Sequence, residues 1–392
     1  MKKVIFGTAL ASMALLSACS SDNELANVET SANNAIGFHV VGNKAETRAT
    51  PITPDNITTT NFNVYAFTND GTAFMGTNDN DVIGFNGINI SYQGKEGSKM
   101  WNYTTPTDLR YWPTGNETPL NFYAVNPGTN NFDSDYMGLY GWEFNHDTQK
   151  IHYSCFDEFG YGKKANIDVM YGIKKNQTYT TSNGGKVKFQ FKHILSQVVF
   201  QAKTALENME VNIQEIKIHN IKFTGNFTLP ATDTESGTWS LTPIPLDKNG
   251  KRNNAFTVVT GKDITVNNTV TDISSETPML NTPQILTAWD VKTPKTKEQA
   301  DAKDPAESYL EITCKIKQAG VYLFGSEREY KTLYVPFGTT WEIGKRHIYT
   351  LIFGGGYNDQ GQPILQPINF DAAVEPWDEN TTNNSSIIIN NK

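Results

Sequence analysis

Apolar residues recur at every second position in short runs along most of this chain, and turn-forming residues break the runs apart. In the cleanest run Val187, Phe189 and Phe191 oppose Lys188, Gln190 and Lys192, which puts an apolar and a polar set on the two faces of one strand. Phe62, Val64 and Ala66 alternate with Asn63 and Tyr65 in the same way, ahead of Thr68-Asn69-Asp70-Gly71, where Asp-Gly supplies the positive φ of a tight hairpin. Trp101-Asn102-Tyr103, Tyr111-Trp112-Pro113 and the run 120–127 continue the series, with prolines that mark strand ends or edges. A polar, glycine-containing break at 180–185 separates two such series. The second holds strands over 195–202, 211–223, 309–316, 333–337 and 347–353. Over 211–223 the phase slips at Gln214-Glu215 and at His219-Asn220, which predicts bulges or bends. The run 347–353 is apolar on both faces, as in a central strand, and 295–303 has helix-like composition without an apolar stripe, so it reads as a loop insertion. Short strands with turn punctuation, twice over, predict an all-β chain of two tandem sandwiches.

The N-terminus breaks this pattern. Met1-Lys2-Lys3 precedes an apolar run at 4–16, too short to span a bilayer and of the right length for a signal-peptide core. Leu16-Ser17-Ala18-Cys19 looks like a bacterial lipobox, with the Cys19 thiol as the acylated group; the alternative is an ordinary secretory signal with a chance cysteine. Residues 20–34 are small and polar, as a tether is. Ile36, Phe38 and Val40 then alternate with Gly37, His39 and Val41 as a short strand, and 43–51 reads as an exposed turn or linker carrying Arg48. By its residues alone Arg48 is either a solvated cation or a protease-accessible site on a flexible segment.

Composition narrows the function classes. The 392 residues carry 33 Lys+Arg against 41 Asp+Glu, a net charge of −8, with the cations dispersed. That is no footprint for a polyanion, so nucleic acid is set aside. Only Cys155 and Cys314 remain beside Cys19. Both fall on apolar strand faces, Cys314 with Leu310, Ile312 and Ile316, and Cys155 with Ile151 and Tyr153, and are read as buried free thiols rather than a bridge or metal site. The six histidines show no metal-ligand spacing, so no metal and no cofactor is expected. His193 continues the inward set of Val187, Phe189 and Phe191 and reads as a hydrogen-bonded core-edge histidine, while His146 and His152 receive no role. The glycine-containing run 160–165 follows no strand-to-helix pattern and is discounted as a dinucleotide loop. Nothing supports an enzyme. Trp101, Tyr111, Trp112, Trp142, Trp239, Trp289, Trp341 and Trp377 leave open an alternative, a surface lipoprotein that binds glycan through exposed aromatics.

Several of these residues taken in order resemble the fimbrillin family of Bacteroidales surface proteins. They are Cys19, Phe38-x-Val40, Glu46-Thr47-Arg48-Ala49-Thr50, Tyr65-Ala66-Phe67, Trp101-x-Tyr103, Tyr111-Trp112-Pro113, Leu120-x-Phe122-Tyr123-Ala124 and Asn126-Pro127. The second half adds Asp168-Val169-Met170-Tyr171-Gly172, Phe189-x-Phe191-x-His193-x-Leu195-Ser196-Gln197, Trp341-Glu342-x-Gly344-Lys345 and Pro376-Trp377. The resemblance implies a pilus subunit of two transthyretin-like or immunoglobulin-like sandwiches, exported as a lipoprotein to the outer membrane and displayed on the cell surface. It implies an Arg-specific protease cutting between Arg48 and Ala49, and other pilus subunits as partners. The expected parts are a signal peptide at 1–18, a lipidated pro-segment at 19–48, sandwiches at 49–184 and 185–377, and a tail at 378–392. Cleavage would remove the strand bearing Ile36, Phe38 and Val40 and leave an apolar groove. The tail ends in Ile387, Ile388 and Ile389, an aggregation liability if simply exposed, and it suits a donor strand that fills a neighbour's groove; the alternative is that it folds back as an edge strand of its own domain. Stalk, tip and anchor roles are all compatible with the residues, and a tail with donor character favours a stalk.

Overall fold

The computed structural model describes residues 35–41, 57–76, 87–95, 99–113, 118–128, 140–155, 167–182, 184–244, 246, 248–250, 255–259, 263–274, 279–293, 296–303, 305–354, 357–362 and 369–376. In chain order the earlier strands are β1 (Gly37–Val41), β2 (Asn61–Thr68), β3 (Ala73–Met75), β4 (Ile88–Gln93), β5 (Met100–Tyr103), β6 (Leu120–Asn126), β7 (Tyr140–Phe144), β8 (Gln149–Ser154), β9 (Met170–Gln177), β10 (Lys186–Gln190) and β11 (Lys192–His193). There follow β12 (Ser196–Thr204), β13 (Met209–His219), β14 (Thr224–Thr228), β15 (Thr238–Leu241), β16 (Ala255–Val259), β17 (Ile264–Val266), β18 (Thr271–Asp272), β19 (Met279–Asn281) and β20 (Ile285–Leu286). Helix α1 (Lys297–Ala302) comes next, then β21 (Tyr309–Gln318), β22 (Val321–Phe324), β23 (Lys331–Pro336), β24 (Thr339–Thr340), β25 (Lys345–Phe353) and β26 (Asn369–Pro376). The chain is all-β, as its periodicity predicts, in two sandwiches.

The first sandwich is centred on the sheet β11-β9-β6-β2-β4-β5, with β3 added beside β2. Its two faces are both covered. On one, Phe62, Val64, Ala66, Phe122 and Ala124 join Ile36, just ahead of β1, and Phe38, Val187 and Phe189 from the parallel pair β1–β10. On the other, Tyr65, Phe67, Tyr123 and Val125 meet Trp142, Phe144, Ile151 and Tyr153 from the sheet β15-β14-β8-β7. Alternation over 62–66 predicts that Asn63 and Tyr65 face a different environment from Phe62. They do point the other way, yet both are buried, because a strand in the middle layer has no solvent side. The Tyr65 hydroxyl accepts from Trp142 Nε1 at 2.6 Å, and burial pushes its pKa up to about 12. The predicted hairpin after β2 is present, with Gly71 at φ 93°.

The strands on either side of 184/185 share sheets: β10 pairs with β1, β11 with β9, and β14 with β8. The second sandwich follows from β12. Its sheet β18-β12-β25-β26 turns Val198, Phe200, Ala202, Tyr349, Leu351 and Phe353 into one core with Ile213, Ile216, Leu310 and Ile312 of the sheet β16-β13-β21-β22. β25 lies between β12 and β26, the central position expected of it. Both phase slips in β13 have a structural counterpart, a register shift between Ile213 and Glu215 and a positive φ of 62° at Asn220. Cys155 and Cys314 are buried free thiols; burial pushes the Cys155 thiol up to about 12. The expected loop at 295–303 is corrected, since it contains helix α1. The Thr296 side chain accepts from the Gln299 N–H while the Gln299 Oε1 accepts from the Thr296 N–H, and this capping box, with Ala300 packed among Trp289, Tyr309 and Tyr334, offsets the missing apolar stripe.

His347 gives the second sandwich an acid sensitivity. The ring is buried and its Nε2 accepts the Glu342 N–H at 3.0 Å. Burial, with Lys345 acting in the same sense, pushes its pKa down from 6.5 to about 4. The fold therefore prefers the neutral ring, and the unfolded chain binds more protons below pH 6.5. This contribution is complete above about pH 6.5 and is lost as pH falls to about 4, to the extent of up to about 3 kcal/mol. In His347→Gln the slope of melting temperature between pH 6.5 and 4 is expected to flatten; an unchanged slope would assign the sensitivity to other groups.

Candidate functional site

β1 is the feature around which a site can be built. Its sequence puts Ile36, Phe38 and Val40 on one face and Gly37 and His39 on the other. Ile36 and Phe38 are buried, Val40 is half-buried against the same core, and His39 is exposed. The strand runs parallel to β10 with Gly37 opposite Lys186, Phe38 opposite Val187 and Val40 opposite Phe189. Among the described residues β10 has no other ladder partner. Taking β1 away would expose the backbone of β10 along its whole length.

The pocket that β1 fills is aromatic. The Phe38 ring stacks on Phe189 with centroids 6.3 Å apart and meets Tyr103 and Phe62 edge-on at 5.7 and 6.3 Å. Phe189 in turn approaches β9 closely, because a Cβ on Gly172 would lie 2.9 Å from its ring. Glycine is required there by the packing. At the beginning of the strand, hydrogen bonds reach beyond the β1–β10 ladder. The Ile36 N–H donates to Arg110 O and the Gly37 N–H to Gly185 O, both at 2.9 Å, while the Tyr103 hydroxyl donates to Ile36 O at 3.0 Å. Gly185 O also accepts Trp112 Nε1 at 3.0 Å. Burial pushes the Tyr103 hydroxyl pKa well up, so it keeps its proton and remains a hydrogen-bond donor at any physiological pH.

Ile36, Phe38 and Val40 thus converge on one site. Cys19, Arg48, Ala49, Ile387, Ile388 and Ile389 lie outside the described residues. Sequence reasoning identifies the 187–191 alternation but misses that β10 is the partner of β1, and it gives Tyr103 and Trp112 no role at this strand; their aromatic motifs are the signal that could have drawn attention to them. His193 is buried and its Nδ1 lies 2.9 Å from Asp168 Oδ1, also buried, the hydrogen-bonded histidine that the alternation predicts. Among the described residues no three His, Cys, Asp or Glu side chains are grouped to hold a metal ion.

The aromatic platform on which a glycan reading depends is corrected by the burial pattern. Trp101, Trp112, Trp142, Trp289 and Trp341 are buried, and Trp239 is half-buried with its Nε1 donating to Ile194 O at 2.8 Å. Each fills a core in preference to lying on the surface. Tyr111 is exposed, and Trp377 lies outside the described residues.

A family model described as fimbrillin-like matches residues 47–377. No curated protein matches. Among solved structures, a fimbrial protein from Bacteroides vulgatus aligns with a TM-score of 0.50 at 15% identity, over 88% of this chain and 100% of that one; this likeness is one of fold. The tip fimbrial protein Mfa3 from Porphyromonas gingivalis, with a C-terminal truncation, aligns with a TM-score of 0.38 at 11% identity, over 81% of this chain and 94% of that one.

Proposed function

Given that the chain belongs to the fimbrillin-like family, we propose that it is a structural subunit of a cell-surface fimbria, polymerised by strand exchange into the site that β1 occupies. In this reading the precursor is lipidated at Cys19 and held at the outer membrane. An Arg-specific protease then cuts between Arg48 and Ala49, a few positions beyond the end of β1 in sequence. The observation that carries the reading is that β1 is both the ladder partner of β10 and the filling of an aromatic pocket. A segment from another subunit could restore both sets of interactions at once. The tail bearing Ile387, Ile388 and Ile389 is the segment we assign to that task, and head-to-tail repetition of the contact makes a filament.

The test uses the chain with Cys19→Ser, treated with limiting trypsin and followed by mass spectrometry and electron microscopy. Cleavage after Arg48 is expected to convert monomers into fibres or ladders, and Arg48→Ala to abolish both. A bond that resists the protease, or a cut chain that remains a stable monomer, would remove the stalk role and favour an anchor or tip subunit.

A further inference from the structure

Resting on the reading above, we infer that Tyr103 is a positioning residue that latches the start of β1, so that the strand detaches from its Val41 end and its Ile36 end leaves last. The asymmetry is in the contacts. Ile36 is tied through both backbone groups to β5 and the segment that follows it, its N–H bonding Arg110 O and its carbonyl accepting the hydroxyl of Tyr103 in β5. Gly37 adds its bond to Gly185 O, a carbonyl that Trp112 Nε1 also holds in place. Ile36 is the most deeply buried of the three apolar side chains, Phe38 follows, and Val40 is half-buried. Tyr103 itself is buried, and its ring is also one wall of the Phe38 pocket.

A strand tied at one end by bonds beyond its ladder and less deeply buried toward the other opens from the less buried end. That end leads toward Arg48. An incoming extended segment would therefore gain its first foothold beside Phe189 and Gln190, opposite Val40 and Val41, and displace β1 toward Ile36. Until it does, the Tyr103 hydroxyl keeps a severed β1 in place and the pocket closed to water. Without the hydroxyl the Ile36 carbonyl is left buried without that donor.

Hydrogen exchange on the uncut full chain tests this without relying on proteolysis. In the wild type the amides of His39 and Val41, which point the same way as that of Gly37, are expected to exchange faster than those of Ile36 and Gly37. In Tyr103→Phe the Ile36 and Gly37 amides should exchange roughly threefold to tenfold faster, with β6 and β25 unchanged. Tyr65→Phe is the control: it removes a hydroxyl bonded to Trp142 on the opposite face of the same sheet and should leave β1 exchange alone. Equal acceleration by both variants, wild-type exchange in Tyr103→Phe, or uniform exchange along β1 would each overturn the latch. A second arm cuts the protein with trypsin and measures how long the fragment ending at Arg48 stays bound, the time being expected to shorten by the same factor in Tyr103→Phe. Failure of trypsin to cut at Arg48 counts against the proposed function, while the exchange rates of the uncut chain decide the latch by themselves.

Discussion

A chain that begins at Ala49 is expected to assemble without any protease. It lacks Ile36, Phe38 and Val40, side chains worth roughly 1.5–3 kcal/mol each when fully buried, with Val40 at the low end because it is only half-buried. The walls they leave, Phe62, Tyr103 and Phe189, would face water, and the backbone of β10 would lose the ladder partner it has among the described residues. An unpaired edge beside an apolar pocket recruits an extended chain. Sedimentation and electron microscopy should therefore show oligomers from the Ala49 chain. The same chain with residues 384–392 deleted should remain unassembled and bind a fluorescent dye specific for exposed apolar surface. A synthetic peptide spanning 35–41 should suppress that binding by refilling the site. A monodisperse monomer from the Ala49 chain with its tail intact would end the strand-exchange reading, and polymerisation despite the deletion would show that the donor segment lies elsewhere.

Phe189→Ala should be among the most costly single substitutions in the first sandwich. The ring is fully buried and packs against Phe38, Phe62 and Phe191 at centroid separations of 6.3, 6.0 and 6.0 Å. Its far side lies against the bare backbone of Gly172. Truncation leaves a cavity ringed by rigid aromatics that close over it poorly, so a loss of about 3–5 kcal/mol is expected. This is a large share of the roughly 5–15 kcal/mol by which a domain is ordinarily stable. Denaturant titration reads it directly as a lower midpoint. Phe189→Leu keeps most of the volume and should cost appreciably less. Because Phe189 is a wall of the Phe38 pocket, Phe189→Ala should also speed exchange of the β1 amides, whereas a core truncation such as Leu351→Ala, in the second sandwich, should lower stability without that local signature.

The strands are legible because period-two alternation is written residue by residue. Val187 and Phe189 inward with Lys186, Lys188 and Gln190 outward is what the structure shows for β10, and the two phase slips of β13 are visible as breaks in the same alternation. The alternation of Ile36, Phe38 and Val40 likewise marks β1, and Cys155, Cys314 and His193 are placed by the apolar company they keep. Helix α1 escapes such a reading for a related reason. Its support is a four-residue capping pattern and one buried alanine, too small a signal to register as an apolar stripe.

What the sequence by itself determined is therefore local: which stretches are strands, which face of most of them is apolar, and where the turns fall. These follow from side-chain direction and backbone preference within a few residues. Which strands pair, and how many layers cover them, was decided only by the tertiary structure. Nothing near Phe38 specifies that its partner is Val187, nearly 150 positions later in the chain, and nothing near Tyr65 specifies that Trp142 will cover it. The burial of Asn63 and of the tryptophans has the same origin. Burial is a property of what arrives from elsewhere in the chain, and strand order, the middle-layer sheet and the latch at Ile36 are contacts between residues far apart in sequence, set by which apolar faces can cover one another with all their backbone groups bonded.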